Sequence, residues 1–159
     1  MSRKVNNKNF GLVCYKLSET LSEFGSVSRG VCKVENDKLV SINEYLKIKK
    51  ENNIIFDSNT GKTLEKDDLV SMNFWICKND FFIFLENYII QCIRELKNIE
   101  KDEIYLPFAI KEYSELNNIE IDVLSSLSKW FGITYKEDKR ESIKKLRELT
   151  ENKLYPSPL

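Results

Sequence analysis

The chain has 159 residues, enough for one domain with a hydrophobic core of its own. Hydrophobic residues make up 42% and charged residues 31%, a composition typical of a globular protein. Because 25 basic residues balance 25 acidic ones, the net charge is zero, and electrostatics gives no reason to expect nucleic acid or an acidic membrane as a partner.

The first half of the chain predicts short strands separated by turns. Residues 10–17 form an almost continuous apolar run, as expected for a strand buried on both faces. Residues 29–35 alternate between apolar and polar, and Asn36-Asp37 then supplies the turn of a hairpin whose second strand is KLVSINEYLKIKK. IIFD and the turn SNTGK indicate a smaller hairpin, and residues 69–77 a further buried strand.

The second half alternates between helices and strands. Apolar residues after Asp80 recur at helical spacing, and Asn79 or Asp80 is the expected cap. A second helix is predicted to begin near Pro107 and run through IKEYSEL, IEIDVL predicts a strand, and 137–151 a third helix. A mixed sheet with about three helices predicts an α/β fold.

Residue types exclude several kinds of chemistry. Histidine is absent, so there is no Ser-His or Cys-His nucleophile, histidine base or histidine-held metal. The five glycines never cluster into a phosphate-binding loop. The four cysteines are scattered through apolar runs without a C-x-x-C pair, which favours reduced core thiols in a cytoplasmic protein over a zinc site or a disulfide framework.

Three polar residues in the strands are candidates for a binding site. Arg29 enters a strand from a flexible turn, although a simple loop is the alternative. Glu44 at a strand end could accept hydrogen bonds from hydroxyl groups, or be an inert exposed carboxylate. Asn73 interrupts an apolar strand, and a buried amide needs partners, so it either ties down neighbouring backbone or faces a ligand.

An aromatic corner precedes the third helix. Lys129, Trp130, Phe131, Gly132 and Tyr135 lie together in KWFGITY, either as a packed corner or as the wall of a pocket for a flat ligand. Aromatic clusters more often serve packing. The run KEDKRES that follows indicates a solvated helix start.

Taken in order, several segments resemble the second half of the bacterial sugar-phosphate nucleotidyltransferase-like proteins, of the nucleotidyltransferase superfamily. They are GLVCYKLSETLSEFGSVSRGVCKVENDKLVSINEY, LVSMNFW, EIYLPFAIKE and KWFGITYKEDK, followed by a helix and YP. The resemblance covers residues 10–159. It implies a partial Rossmann-like α/β fold in which 10–159 form the acceptor-side half, with 1–9 as a disordered or extended segment.

The resemblance also implies a reaction and a site. In the family, a sugar phosphate attacks the α-phosphate of a nucleoside triphosphate, with Mg²⁺ held by carboxylate. Glu44 would contact the acceptor sugar, and Asn73 would lie on the pocket floor. Trp130 would pack the acceptor side of the pocket with Lys129 near its rim, and Arg29 is counted among the substrate-binding residues. No metal ligand is assigned, because the nucleotide loop and metal-binding aspartate of the family precede the segment matching Phe10.

Two functions are therefore expected. The first is a truncated or split nucleotidyltransferase, inactive alone and without tightly bound Mg²⁺; the alternative is a non-catalytic sugar-phosphate-binding or regulatory module. The expected partners are a chain carrying the N-terminal half, or a second copy of this chain, because the apolar strand that begins at Phe10 would lie near an exposed sheet edge. Neither nucleic acid nor a membrane is expected.

Overall fold

The computed structural model describes residues 8–98, 100–126, 128 and 130–156. The predicted segment 1–9 lies outside this range up to residue 7. Within the described residues the chain forms seven strands, three helices and a 3-10 turn at Leu17–Glu19. In chain order they are β1 (Phe10–Lys16), β2 (Val27–Glu35), β3 (Lys38–Glu51), β4 (Ile54–Asp57), β5 (Thr63–Leu64), β6 (Leu69–Ile76), α1 (Asn79–Glu95), α2 (Leu106–Leu116), β7 (Ile121–Ser125) and α3 (Asp138–Glu151).

Two tight turns join the long central strands. Asn36 and Asp37 adopt φ of 50° and 61°, which confirms the predicted β2–β3 hairpin. Asn52 and Asn53, at φ of 47° and 65°, make a second hairpin between β3 and β4. A two-residue hairpin turn has positive φ at both central positions, because its twist then matches that of the antiparallel strands. Asn and Asp tolerate this conformation.

The helices begin close to where the sequence places them. Pro107 lies in the first turn of α2, as predicted. The expected cap of α1 is wrong by one or two positions: Lys78 is the N-cap, and Asn79 and Asp80 both lie inside the helix. At this position the carboxylate of Asp80 interacts favourably with the positive end of the helix dipole.

The strands are ordered β2-β6-β1-β7-β3, and β2 also pairs directly with β3, so that five strands close into a ring. The strands β4 and β5 extend the sheet from β3. β1 and β7 are parallel from Phe10 opposite Ile121 to Cys14 opposite Ser125. β3 meets β7 in antiparallel orientation where Lys38 lies opposite Asp122.

This ring shows that the predicted partial Rossmann-like fold is wrong. A Rossmann-like domain has an open, mostly parallel sheet with helices on both faces. Here the start of β3 reaches β7 while its hairpin partner β2 pairs with β6, so the sheet returns on itself. β1 is therefore paired on both sides, by β6 and β7, and does not form the open edge that the sequence predicted.

The chain divides into two compact units. Among the described residues, the first contains 8–14, 32–43, 71–98 and 100–126, and the second contains 15–31, 44–70, 128 and 130–156. In the first unit the ring of Phe10 stacks on Tyr113 at 5.6 Å and meets Phe81 edge-on at 5.6 Å. The core of the second unit consists of Leu17, Val27, Ile48, Ile55, Leu64 and Val70.

Candidate functional site: a buried arginine and its pocket

Arg29 in β2 is the most heavily buried cation of the second unit, with 8% of its surface exposed. Its Nη1 donates to the carbonyl of Ser28 at 2.7 Å, and its Nη2 donates to the carbonyl of Thr20. The Nε atom is also buried but has no hydrogen-bond partner among the described residues. Burial lowers the pKa of Arg29, but a guanidinium keeps its charge in proteins. Arg29 is therefore a buried charge whose Nε–H is unused.

The indole of Trp130 covers this guanidinium. Arg29 Cζ lies 5.1 Å from the centroid of the ring, within the range of a cation–π interaction. Gly132 makes the arrangement sterically allowed, because a Cβ atom at that position would lie 2.5 Å from two ring carbons of Trp130. The hydroxyl of Ser142 in α3 donates to the carbonyl of Gly132 at 3.2 Å. The corner is thus packed against both β2 and α3.

Asp138, at the start of α3, fixes the chain on either side of the corner. Its Oδ2 accepts hydrogen bonds from the backbone N–H of Tyr135 at 2.7 Å and of Thr134 at 2.9 Å. Its Oδ1 accepts from the hydroxyl of Ser22 at 3.1 Å. The Tyr135 N–H, followed by the other donors, lowers the pKa of the Asp138 carboxyl. This carboxylate joins the corner to the segment that follows β1.

Tyr135 makes a second link between the corner and the segment that follows β1. Its hydroxyl donates to the carbonyl of Ser26 at 2.6 Å. Gly25 leaves the space for the phenol, since a Cβ atom there would lie 2.4 Å from the tyrosine oxygen. Two of the five glycines therefore exist where an aromatic side chain approaches the backbone closely.

These contacts enclose a pocket of about 220 Å³. Its walls are residues 18–22, Arg29, residues 130–132 and 134, and the side of α3 that carries Asp138, Glu141, Ser142 and Lys145. Lys145 Nζ lies 5.8 Å from the centroid of the Phe131 ring, which places a second cation on this wall. The pocket combines two cations, the carboxylates of Glu19, Asp138 and Glu141, and several hydroxyl groups.

The structure brings together Arg29 and Trp130, two of the predicted site residues. Glu44 is exposed on β3 and is not part of the pocket wall, but its charge acts on Arg29. Partial desolvation raises the pKa of the Glu44 carboxyl, and the arginine lowers it in part. Lys129 lies outside the described residues.

Asn73 is placed in the first unit and not among the residues of this pocket. The expectation of a buried amide is wrong, because Asn73 is exposed and has a φ of 57°. Its Oδ1 accepts from the indole N–H of Trp75 at 3.3 Å, and its backbone N–H donates to Ser71 Oγ at 3.1 Å. Asn73 thus bonds to neighbours in its own strand.

Sequence reasoning missed Asp138 and Ser142, which it assigned to a solvated helix start, and Lys145, to which it gave no role. A signal was present in the spacing: a carboxylate three residues after Tyr135, at a helix start, can reach back to backbone N–H groups as in a capping box. No such sequence pattern marks Ser142 or Lys145, because these residues line the pocket only through the position of the corner.

No protein-family model matches the sequence, and no curated protein matches it either. In the part of the chain that the structure describes, no group of three or more Cys, Asp or Glu side chains is arranged to hold a metal ion. None of the described helices is long and apolar enough to cross a bilayer. The geometry of the pocket is therefore the basis for inferring a function.

Asp138→Asn is expected to lower the free energy of unfolding by about 1 kcal/mol at neutral pH, because the amide accepts these hydrogen bonds less strongly than a carboxylate. The pKa of Asp138 is lowered in the fold, so its stabilisation is complete above the ordinary value of 3.8 and is lost as the pH falls through the folded value. Urea denaturation at several pH values should therefore show the difference between wild type and variant shrinking in acid.

Asp57 supplies an internal reference for this measurement. It accepts hydrogen bonds from Lys47 N–H and from both Thr60 donors, each at 2.9 Å, and its pKa is also lowered. Asp138→Asn leaves this group intact, so the variant should keep part of the acid sensitivity of the wild type. A difference between the two proteins that stays constant from neutral pH to about pH 2 would show that the Asp138 charge is unimportant.

Proposed function

We propose that this chain is a non-catalytic binding module for a small ligand that carries both an anionic group and hydroxyl groups, of which sugar phosphates are the best-fitting class. The observation that carries the proposal is a polar pocket whose wall combines Arg29 and Lys145 with several hydroxyl groups, where Arg29 keeps a buried Nε–H without a partner in the described residues. A buried donor without an acceptor costs about 1–3 kcal/mol, and an anionic oxygen that reaches it would remove that cost and add a charge-assisted hydrogen bond.

The size of the pocket restricts the ligand. At about 220 Å³ it is smaller than the ~300–1,000 Å³ that accommodate drug-sized molecules. A nucleotide would not be enclosed, whereas a phosphate group with part of one sugar ring would. The ligand is accordingly expected to be small and to project partly into solvent.

The charges of the wall favour a ligand with mixed character. Arg29 and Lys145 attract an anion, but the carboxylates of Glu19, Asp138 and Glu141 would repel a ligand that carried charge alone. The same carboxylates can accept hydrogen bonds from sugar hydroxyls, and the hydroxyls of Ser18 and Thr134 can donate or accept. A sugar phosphate satisfies both kinds of group.

The other predicted function, half of a nucleotidyltransferase, stays a prediction. That prediction implied a partial Rossmann-like fold, which the closed ring of strands contradicts. We also propose a cytoplasmic location for the protein. It is supported by the thiol of Cys14, which donates to Cys32 Sγ at 3.7 Å, an arrangement of reduced thiols that a reducing compartment maintains.

Titration calorimetry with a panel of sugar monophosphates tests the proposal, with the parent sugars and inorganic phosphate as matched ligands. Lys145→Gln removes one cation from the pocket wall without touching the buried contacts of Arg29, and should weaken binding by about tenfold. Arg147→Gln is the control, because Arg147 is exposed on α3 and does not line this pocket.

The proposal requires that a sugar phosphate bind more tightly than either the sugar or inorganic phosphate alone. It also requires that Arg147→Gln retain wild-type affinity while Lys145→Gln does not. Equal losses in the two variants would indicate a general effect of net charge, and no binding by any member of the panel would reject the ligand class.

A further inference from the structure

The helix α1 has an apolar face that its own fold does not cover. Five large side chains of this helix are between 36% and 68% exposed: Phe82, Ile83, Ile89, Ile90 and Ile93. We name them the α1 stripe. The spacing of Ile83, Ile90 and Ile93 by seven and three residues aligns them along the helix. Scattered exposed apolar residues are ordinary, but an aligned set on one helix marks an interaction surface.

The opposite face of α1 already provides the packing of the first unit. Phe81 is buried and meets Tyr113 of α2 with ring centroids 5.4 Å apart, and Phe84 meets the same ring at 5.1 Å. Within the α1 stripe, Phe82 touches the edge of this cluster, with its ring centroid 5.9 Å from that of Phe81. Ile83 belongs to none of these ring contacts, so it can be changed without removing them.

Charge at the two ends of α1 identifies the occupant of the stripe. Asp80 lies in the first turn and Arg94 in the last, both exposed and without an ion-pair partner in the described part of the chain. On an α-helix their positions fall on the same side of the stripe, 14 residues or four turns apart. If a second α1 packs antiparallel along the stripe, Asp80 of each copy lies across from Arg94 of the other.

The same antiparallel arrangement pairs the apolar residues. With a two-fold axis near Tyr88, at the middle of α1, Ile83 of one copy lies opposite Ile93 of the other. The helix dipoles oppose each other, and the zero net charge of the chain means that two copies do not repel. A two-fold interface requires a self-complementary surface, and this stripe provides one.

The available area sets the strength of the contact. A helix of 17 residues is about 25 Å long, and pairing it along its length buries on the order of 1,000 Å² in total. That is close to the lower limit for a specific interface. Glu86 lies within the stripe and would face apolar surface of the other copy, which weakens the contact further.

We infer that the chain forms a weak two-fold dimer through the α1 stripe, with a dissociation constant in the range of about 1–100 μM. This surface differs from the sheet edge that the sequence predicted, and the inference does not depend on the Arg29 pocket. An amphipathic helix that binds membranes is rich in Lys and Arg on its polar face, which α1 is not. A second copy of the chain would pair the charges of Asp80 and Arg94 and would also cover the stripe.

Sedimentation equilibrium over about 1 μM to about 1 mM tests the dimer, with circular dichroism to confirm that each variant keeps its helices. Ile83→Glu is expected to give a monomer at all concentrations. Ile54→Glu is the matched control, since Ile54 is a comparably exposed isoleucine in the second unit, and it should leave the dimer unchanged.

Charge reversal separates this geometry from general stickiness. Asp80→Arg and Arg94→Asp each place like charges across the interface and should raise the dissociation constant by about tenfold or more. The double variant restores both pairs and should return the constant to near the wild-type value. A monomeric wild type, a dimer that survives Ile83→Glu, or a double variant weaker than either single one would each overturn the inference.

Discussion

Replacing Arg29 with methionine is expected to lower the free energy of unfolding by about 3–5 kcal/mol, because two hydrogen bonds from a charged donor are lost and each contributes about 1.5–3 kcal/mol. The carbonyl of Thr20, a fully buried residue, loses the donor Nη2, and Trp130 loses the cation beneath its ring. Methionine keeps an unbranched apolar stem, so the loss of packing is small compared with the loss of polar contacts.

Urea denaturation followed by circular dichroism measures this change, with Arg147→Met as the control. Arg147 is exposed on α3, and its replacement should change the free energy of unfolding by less than about 0.5 kcal/mol. If Arg29→Met cost no more than the control, the guanidinium would not hold the segment around Thr20, and the pocket would lack its fixed wall.

Gly132→Ala is expected to have the second largest effect, a loss of about 2–3 kcal/mol by overpacking. The new methyl group would lie 2.5 Å from the indole of Trp130, so the ring must leave its position over Arg29. The fluorescence of Trp130 should therefore change, and ligand binding at the pocket should weaken with it.

The measurement is cleanest in a Trp75→Phe background, because the chain has two tryptophans and this leaves only Trp130. Gly61→Ala is the matched control: Gly61 has a φ of 72° but nothing within 4 Å of an added Cβ. It should cost about 1 kcal/mol through backbone strain and leave the fluorescence alone. An unchanged Trp130 spectrum in Gly132→Ala would show that the corner does not depend on this glycine.

Local elements were predictable because local chemistry determines them. The Asn36-Asp37 turn demands positive φ, and Pro107 suits only the first turn of a helix, so both could be placed from neighbouring residues alone. The apolar run of β1 likewise identified a strand, although not its pairing with β6 on one edge and β7 on the other.

The arrangement of strands was not predictable by the same means. Closing the ring depends on Lys38 meeting Asp122, two residues 84 positions apart, and no periodicity in either segment encodes that pairing. The apolar pattern of β1 and β7 is equally compatible with an open parallel sheet, so it could not correct the Rossmann-like fold that the family resemblance implied. A non-local contact decided the fold class.

The candidate site was predictable in part. Arg29 and Trp130 were singled out by residue type, but their contact with each other depends on how the corner packs on β2. Asp138 looked like an ordinary charge at a helix start, and its three hydrogen bonds appear only once Ser22 is brought next to it. Residue types thus identified candidate residues, and the tertiary structure shows which of them come into contact.

The side-chain Nε–H resonance of Arg29, followed by nuclear magnetic resonance during titration with a sugar phosphate, tests the central claim most directly. Arg29→Lys assigns the signal, because lysine has no such group. The proposed pocket predicts that this resonance moves downfield with the sugar phosphate and stays in place with the parent sugar, as expected when the unused donor gains an anionic acceptor. A resonance that does not move at saturating sugar phosphate would contradict the claim that Arg29 holds the ligand.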